Sequence, residues 1–302
     1  MKFHYRHILF LLVAGAGMLP ALLSAQRPAA LKEQLQRIIS GKQAEVGIAV
    51  ILNGEDTITV NNDGRYPMMS VFKFHQALAV TDYMRRNRTP LDSTLFITKE
   101  ELKPDTYSPL RDKYPDDEEV TVSIRELLTY TLQLSDNNAC DILFHRLVST
   151  EETDRYIHSL GIDSCSISMT EDDMHRDLAN CYRNWTTPLA AARLFEKFLT
   201  LRLPGNGYHE FLKHTLISCQ TGKDRLARPL ENTQAAIGHK TGTGDRNADG
   251  KIIGTNDAGF VILPDGQHYT IAVFVKDSAE TPEVTAQIIA DISDAVYRHV
   301  SK

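Results

Sequence analysis

The pattern of apolar and polar positions divides the chain into strand-forming ends around a helical middle. Ala30 to Ile39 sets Leu31, Leu35, Ile38 and Ile39 at helical spacing. Val46 to Leu52 and Thr57 to Val60 are short apolar runs that read as strands. Asn53-Gly54, followed by Glu55-Asp56, joins them as a hairpin, the strongest short-range signal of that kind. From about Val71 to Lys213 the spacing is mostly helical, with polar loops expected at Pro104 to Glu119 and Thr170 to Asn184. Strand patterns return in His239 to Thr243, in Thr255 to Leu263 and, after the turn Pro264-Asp265-Gly266, in Tyr269 to Lys276. Val284, Ile288, Ile289, Ile292 and Val296 form the apolar stripe of a closing helix, Glu283 to Val300.

This order of elements implies an α/β fold of the α+β type. Both ends of the chain contribute to one antiparallel sheet flanked by helices, and an all-helical domain is inserted between them. The expected boundaries are 26–66 with 215–302 for the sheet domain and 67–214 for the insertion, with the active site between the two. No fixed-period repeat and no low-complexity stretch interrupts this plan.

Residues 1–25 stand apart. Lys2 and Arg6 precede an apolar stretch from Ile8 to Leu23, and Ser24-Ala25-Gln26 follows, which is the layout of a secretory signal peptide cleaved after Ala25. A membrane span needs about 20 apolar residues, and this stretch is shorter and holds Gly15, Gly17 and Pro20. The expectation is export to the periplasm with no stable membrane association afterwards. Loss of Lys2 and Arg6 takes the net charge two units below the −6 of the full 302-residue chain, which offers nothing to nucleic acid or acidic lipid.

Four cysteines, Cys140, Cys165, Cys181 and Cys219, show no CxxC spacing. They read as buried thiols or one structural bridge, since export permits disulfides. The histidines lack the spacing that presents two imidazoles to one zinc, so no metal and no cofactor is expected.

Three short motifs carry chemistry. In Ser70-Val71-Phe72-Lys73, after Pro67, the serine falls near a helix N-terminus with the lysine one turn on, so that an amine can take its proton. Ser135-Asp136-Asn137 lies between the apolar stretches Ile124 to Leu134 and Ala139 to Leu147. There it can cap a helix, or present a hydroxyl and an amide to a substrate. In His239-Lys240-Thr241-Gly242-Thr243-Gly244, small residues keep a strand edge open beside a cation and hydroxyls that suit a carboxylate. Singly, each has an ordinary explanation. A specified tripeptide is expected roughly 0.04 times in a chain of this length, so two of them after an SxxK, in order, amount to about a one-in-a-thousand coincidence.

Together the motifs resemble those of the penicillin-recognising serine enzymes, SxxK, SDN and KTG. With Ser135 62 positions after Lys73, the chain is most similar to class A β-lactamases. Ser135 to Asp141, Met174 to Trp185 and Ala272 to Glu280 resemble their cephalosporin-leaning, extended-spectrum branch. The resemblance implies a β-lactamase/transpeptidase-like fold, a monomer, and hydrolysis of cephalosporins and penicillins through a serine acyl-enzyme.

It implies Ser70 as nucleophile, Lys73 as proton acceptor or relay, and an oxyanion hole made by the amides of Ser70 and Thr243. Ser135 would protonate the leaving nitrogen, Asn137 would hold the acylamide, and Lys240, Thr241, Gly242 and Thr243 would bind the carboxylate. Glu171, 36 positions after Ser135, would activate the hydrolytic water. The loop departs from the common pattern: His175 replaces an asparagine, Asp172 a proline and Met169 an arginine. Tyr107 resembles an aromatic wall of the site or is a plain loop aromatic, and Arg225 is a second cation or a surface ion pair. The rivals are a penicillin-binding DD-peptidase and a β-lactam-binding sensor that does not turn over.

Overall fold

Asn53 and Gly54 take left-handed backbone angles, φ 49° and 74°, and turn the strand Glu45–Leu52 back onto Asp56–Val60. This matches the right-handed twist of the paired strands and starts the sheet where the sequence places it. The structure is a computed structural model that describes residues 18–301. The expected leader, 1–25, lies outside the described residues as far as Gly17, and its end falls in the helix Met18–Ile39. Among the described residues no helix is long and apolar enough to cross a membrane.

The sheet has five antiparallel strands in the order Asp56–Val60, Glu45–Leu52, His268–Ser278, Ile252–Ile262 and Ala236–Thr243. Its register, with Ile48 opposite Val273 and Lys240 opposite Ala258, sends alternate side chains to opposite faces. Ile48, Val50, Ile271 and Val273 pack beneath Leu31 and Leu35 of the first helix and Ile288, Ile292 and Val296 of the closing helix, Pro282–Val300. Ala49, Ile51, Ala272, Phe274 and Phe260 face the other way, into a larger core with the middle of the chain. There Phe74 stacks on Phe195 with ring centroids 4.0 Å apart, a contact whose loss in Phe74→Ala would cost about 3–5 kcal/mol.

The middle of the chain is helical in Phe72–Asn87, Ile124–Gln133, Asn137–Arg146, Thr150–Ser159, Pro188–Thr200 and Asn206–Ile217. Two expectations need correction. The segment Thr170 to Asn184 is no polar loop: Glu171–Arg176 is helical, started by reciprocal bonds between Thr170 and Asp173, and Leu178–Arg183 is a 3₁₀ helix capped by Asp177. Likewise Pro109–Lys113 forms a short helix inside the other expected loop. Short strands also interrupt the helices: Thr94–Thr98 pairs with Glu119–Ser123, and Trp185–Thr186 lies between Tyr66–Pro67 and Cys165–Ser166. The four cysteines are free thiols, three of them buried.

Candidate active site

Ser70 sits in the 3₁₀ turn Met69–Val71 that runs into the helix Phe72–Asn87. Met69, just before it, holds φ at 45°, a left-handed value that a methionine adopts only when its surroundings impose it. Those surroundings are visible. Asn256 donates from Nδ2 to the carbonyls of Pro67 and Met68, and the Met68 amide donates to the carbonyl of Asn184. The end of the edge strand Ala236–Thr243 closes over the turn at Gly242. A Cβ there would lie 2.6 Å from the Met68 carbonyl oxygen and 3.2 Å from the Ser70 amide nitrogen, so only glycine lets the strand approach.

Lys73, one helical turn on, is fully buried and donates to three acceptors: the Ser135 carbonyl at 2.7 Å, Asn137 Oδ1 at 2.6 Å and Glu171 Oε1 at 2.8 Å. Three donors meeting three acceptors is the complete valence of an ammonium. The same Glu171 Oε1 accepts from the Ser70 hydroxyl at 3.1 Å. The nearest base for the Ser70 proton is therefore the Glu171 carboxylate, with the lysine charge held beside it.

Ser135 also has left-handed backbone, φ 61°, in the turn between Ile124–Gln133 and Asn137–Arg146. Asp136 holds that turn. It is fully buried and accepts from the Ser108 hydroxyl, the Leu110 amide at 2.6 Å and the Ala139 amide at 2.8 Å, so the ordinary helix cap foreseen for the motif exists and does more. Burial raises the Asp136 pKa, against the pull of those donors. Asn137 is fixed at both ends of its amide, by Lys73 and by Thr106 Oγ1 at 2.8 Å.

Glu171 begins a short helix whose first two free amides, those of Glu171 and Asp172, donate to the two carboxylate oxygens of Asp141, each at 2.9 Å. Asp141 is pushed up to about 7 by burial and then by the neighbouring Glu171 charge. Lys103 bonds Asp172 at 2.7 Å and ties the loop carrying Tyr107 to the same helix.

On the opposite wall, the buried Lys240 donates to Ser135 Oγ and to its neighbour's carbonyl, both at 2.9 Å. The Ser135 hydroxyl, already accepting from Lys240, is left to donate its own proton toward the cleft. Thr241 shares a 2.6 Å bond with Thr221. Arg225, expected as a second cation or a surface ion pair, is buried and lines the edge of the cleft. It donates to the carbonyls of Gly242 and Asn256 and to Thr243 Oγ1 at 2.6 Å, which places a guanidinium behind the strand end. Burial, followed by repulsion from Lys73, lowers the Lys240 pKa to about 7.

A cleft of about 340 Å³ collects these groups. Ser70, Tyr107, Ser135, Asn137, Glu171, His175, Arg225, Thr241 and Thr243 line it, and Lys73, Lys240 and Gly242 lie directly beneath. Every residue singled out from the sequence is thus at one place. Several neighbours were not foreseen as part of it: Leu178, Cys181, Gly244 and Asp245 complete the wall, and Asp141 and Asn256 position what the motifs supply. For Asn256 a signal existed, since Asn256-Asp257 are polar residues in the middle of a strand buried at all but its last position. Among the described residues no group of histidine, cysteine or acidic side chains could hold a metal ion.

Residues 30–300 match the model of the beta-lactamase enzyme family. A beta-lactamase of Bacteroides uniformis is 44% identical over 98% of this chain and 99% of its own. The extended-spectrum beta-lactamase PER-1 of Pseudomonas aeruginosa is 35% identical over 91% of this chain and 88% of its own. Among solved structures, a class A beta-lactamase from Bacteroides cellulosilyticus is similar at a TM-score of 0.87, with 42% identity, 91% of this chain covered and 98% of the other.

Proposed function

The chain belongs to the beta-lactamase enzyme family, in its class A, extended-spectrum branch, and from that membership we propose how its residues act. It is a hydrolase that opens β-lactam rings and so confers resistance to these antibiotics. Ser70 Oγ attacks the lactam carbonyl carbon while its proton passes to Glu171. The amides of Ser70 and Thr243 stabilise the oxyanion, where loss of one donor costs about 10²- to 10³-fold in rate. The C–N bond then breaks and Ser135 protonates the nitrogen, with Lys240 behind it; Ser135 regains a proton from Glu171 by relay through Lys73, which leaves Glu171 a carboxylate again. Asn137 holds the acylamide, and Lys240, Thr241, Thr243 and Arg225 take the carboxylate. Glu171 finally removes a proton from water as it attacks the ester and passes that proton to Ser70 Oγ as the ester C–O bond breaks, which restores both residues and releases the opened acid.

The observation that carries this reading is the single carboxylate oxygen, Glu171 Oε1, shared by the Ser70 hydroxyl and the Lys73 ammonium. It favours a turning-over hydrolase over a DD-peptidase or a sensor, because both halves of the reaction have a base in reach. Cephalosporins and penicillins are the proposed substrates, and the working form a monomer secreted to the periplasm after cleavage of residues 1–25.

Purified protein mixed with a chromogenic cephalosporin is expected to turn over steadily, and Ser70→Ala to lose both turnover and covalent labelling. A single burst ending in a stable adduct would place the chain with the non-hydrolysing binders.

A further inference from the structure

At the end of the cleft away from Lys240, two separate segments supply the wall: Leu178 and Cys181 from one, Gly244 and Asp245 from the other. Each is followed within two residues by a side chain turned to the same partner. Tyr182 donates its hydroxyl to Asp277 Oδ1, and Asn247 donates from Nδ2 to Asp277 Oδ1 and to the Tyr182 oxygen, both at 3.2 Å. Asp277 reaches this position with a left-handed φ of 50° near the end of the strand His268–Ser278, a conformation that costs an aspartate energy and is held by its contacts.

Asn247 is fixed in turn. Its Oδ1 accepts from the amides of Asp249 and Lys251, and its own amide donates to the Lys251 carbonyl, so the turn from Asn247 to Lys251 is braced by its own hydrogen bonds. The Tyr182 pKa is pushed up to about 12, by burial first and then by Asp277, so its hydroxyl remains a donor throughout the neutral range. On the other side, Thr170 and Asp173 cap the segment Glu171–Arg176 independently of this cluster. The three-residue cluster is therefore the hydrogen-bonded tie between the two walls at this end.

We propose that Tyr182, Asp277 and Asn247 form a latch that sets the gap between the 178–182 and 244–251 segments and so limits the bulk of the acyl side chain a substrate can carry. This rests on the β-lactamase reading. A carboxylate at Lys240 and Thr241 and an acylamide at Asn137 direct the acyl group toward Leu178, Cys181 and Asp245. The latch residues touch no reacting atom: they are positioning residues, and their effect belongs in discrimination between side chains, not in the chemical step.

The test compares two cephalosporins with the same nucleus, one bearing a small unbranched acyl group and one a bulky branched group. Tyr182→Phe is expected to raise the bulky-to-small ratio of kcat/KM about three- to tenfold, chiefly through a lower KM for the bulky substrate, with the small substrate changed by less than about twofold. Amide exchange should quicken in 178–183 and 244–251 together. Asp277→Gly, tolerated at φ 50°, is expected to give the same ratio, and the double variant no more than either alone. An unchanged ratio despite faster exchange, an equal fall for both substrates, or fully additive single effects would each overturn the latch. Absence of turnover by the wild-type protein with either substrate would instead overturn the hydrolase reading on which it rests.

Discussion

Lys240 shows how position in the fold redefines a residue. An ammonium with no exposed surface, close to the charge of Lys73, loses its proton more readily than a free lysine, and its pKa falls to about 7. Below that pH the residue attracts a substrate carboxylate as an ion, and above it only as a dipole. KM for an anionic β-lactam is therefore expected to rise about tenfold between pH 6 and pH 9, equivalent to ~1.4 kcal/mol of lost ion pairing. Lys240→Arg, which stays charged, should flatten the rise. Steady-state KM against pH for both proteins checks this, and a flat wild-type profile would show that Lys240 stays ionised. Asp136 carries a different weight. Its carboxylate satisfies two buried amides and one hydroxyl, so Asp136→Ala should destabilise the fold by about 3 kcal/mol in urea unfolding, with Ser135 and Asn137 misplaced as a consequence.

At the scale of elements, the site forms where the edge strand Ala236–Thr243 meets the turn of Ser70. Gly242→Ala would drive a methyl group into the Met68 carbonyl, which is backbone and cannot yield. It is expected to lower kcat by about 10²-fold or more through displacement of the Thr243 amide, while far-ultraviolet circular dichroism stays native. What the sequence disclosed depends on how local each signal is. Ser70 and Lys73, or Ser135 and Asn137, lie within one turn of each other, and their motifs are readable because the chemistry is contiguous. The five main strands are long enough for their burial pattern to be recognised, whereas Tyr66–Pro67, Cys165–Ser166 and Trp185–Thr186 are pairs of residues with no period at all. The helix Glu171–Arg176 was hidden by its acids, although Thr170-x-x-Asp173 is a capping signature. Asp141, Asn256 and Asp277 find their partners far along the chain, so their roles exist only in the fold.

For the whole molecule, the two faces of one sheet bear separate cores, and the ionisable groups at the site lie where the larger core meets the cleft. This couples stability to pH. Burial alone would keep His239 neutral, but Asp257 at 2.8 Å and then Cys219 carry its pKa to about 10 from 6.5. Because the folded value is the higher one, this contribution is complete below pH 6.5 and is lost as the pH rises through 10. Lys240 runs oppositely: its folded pKa of about 7 lies below the ordinary 10.5, so the unfolded chain holds the extra proton between those values and stability gains with pH there. Removal of the falling contribution in His239→Gln should make unfolding free energy rise more steeply from pH 7 to pH 10 than in the wild type, as urea titrations at each pH would measure. With four free cysteines, a reducing agent should leave Tm unchanged. The central claim is that Glu171, brought beside Ser70 from 101 residues along the chain, is the base that deacylation cannot do without, whereas in acylation Lys73 can take the Ser70 proton in its place. Intact mass at successive times after mixing Glu171→Gln with a cephalosporin tests it most directly. A persistent adduct on Ser70, where the wild type shows only a transient one, is the predicted result, and wild-type turnover by the variant would contradict the account.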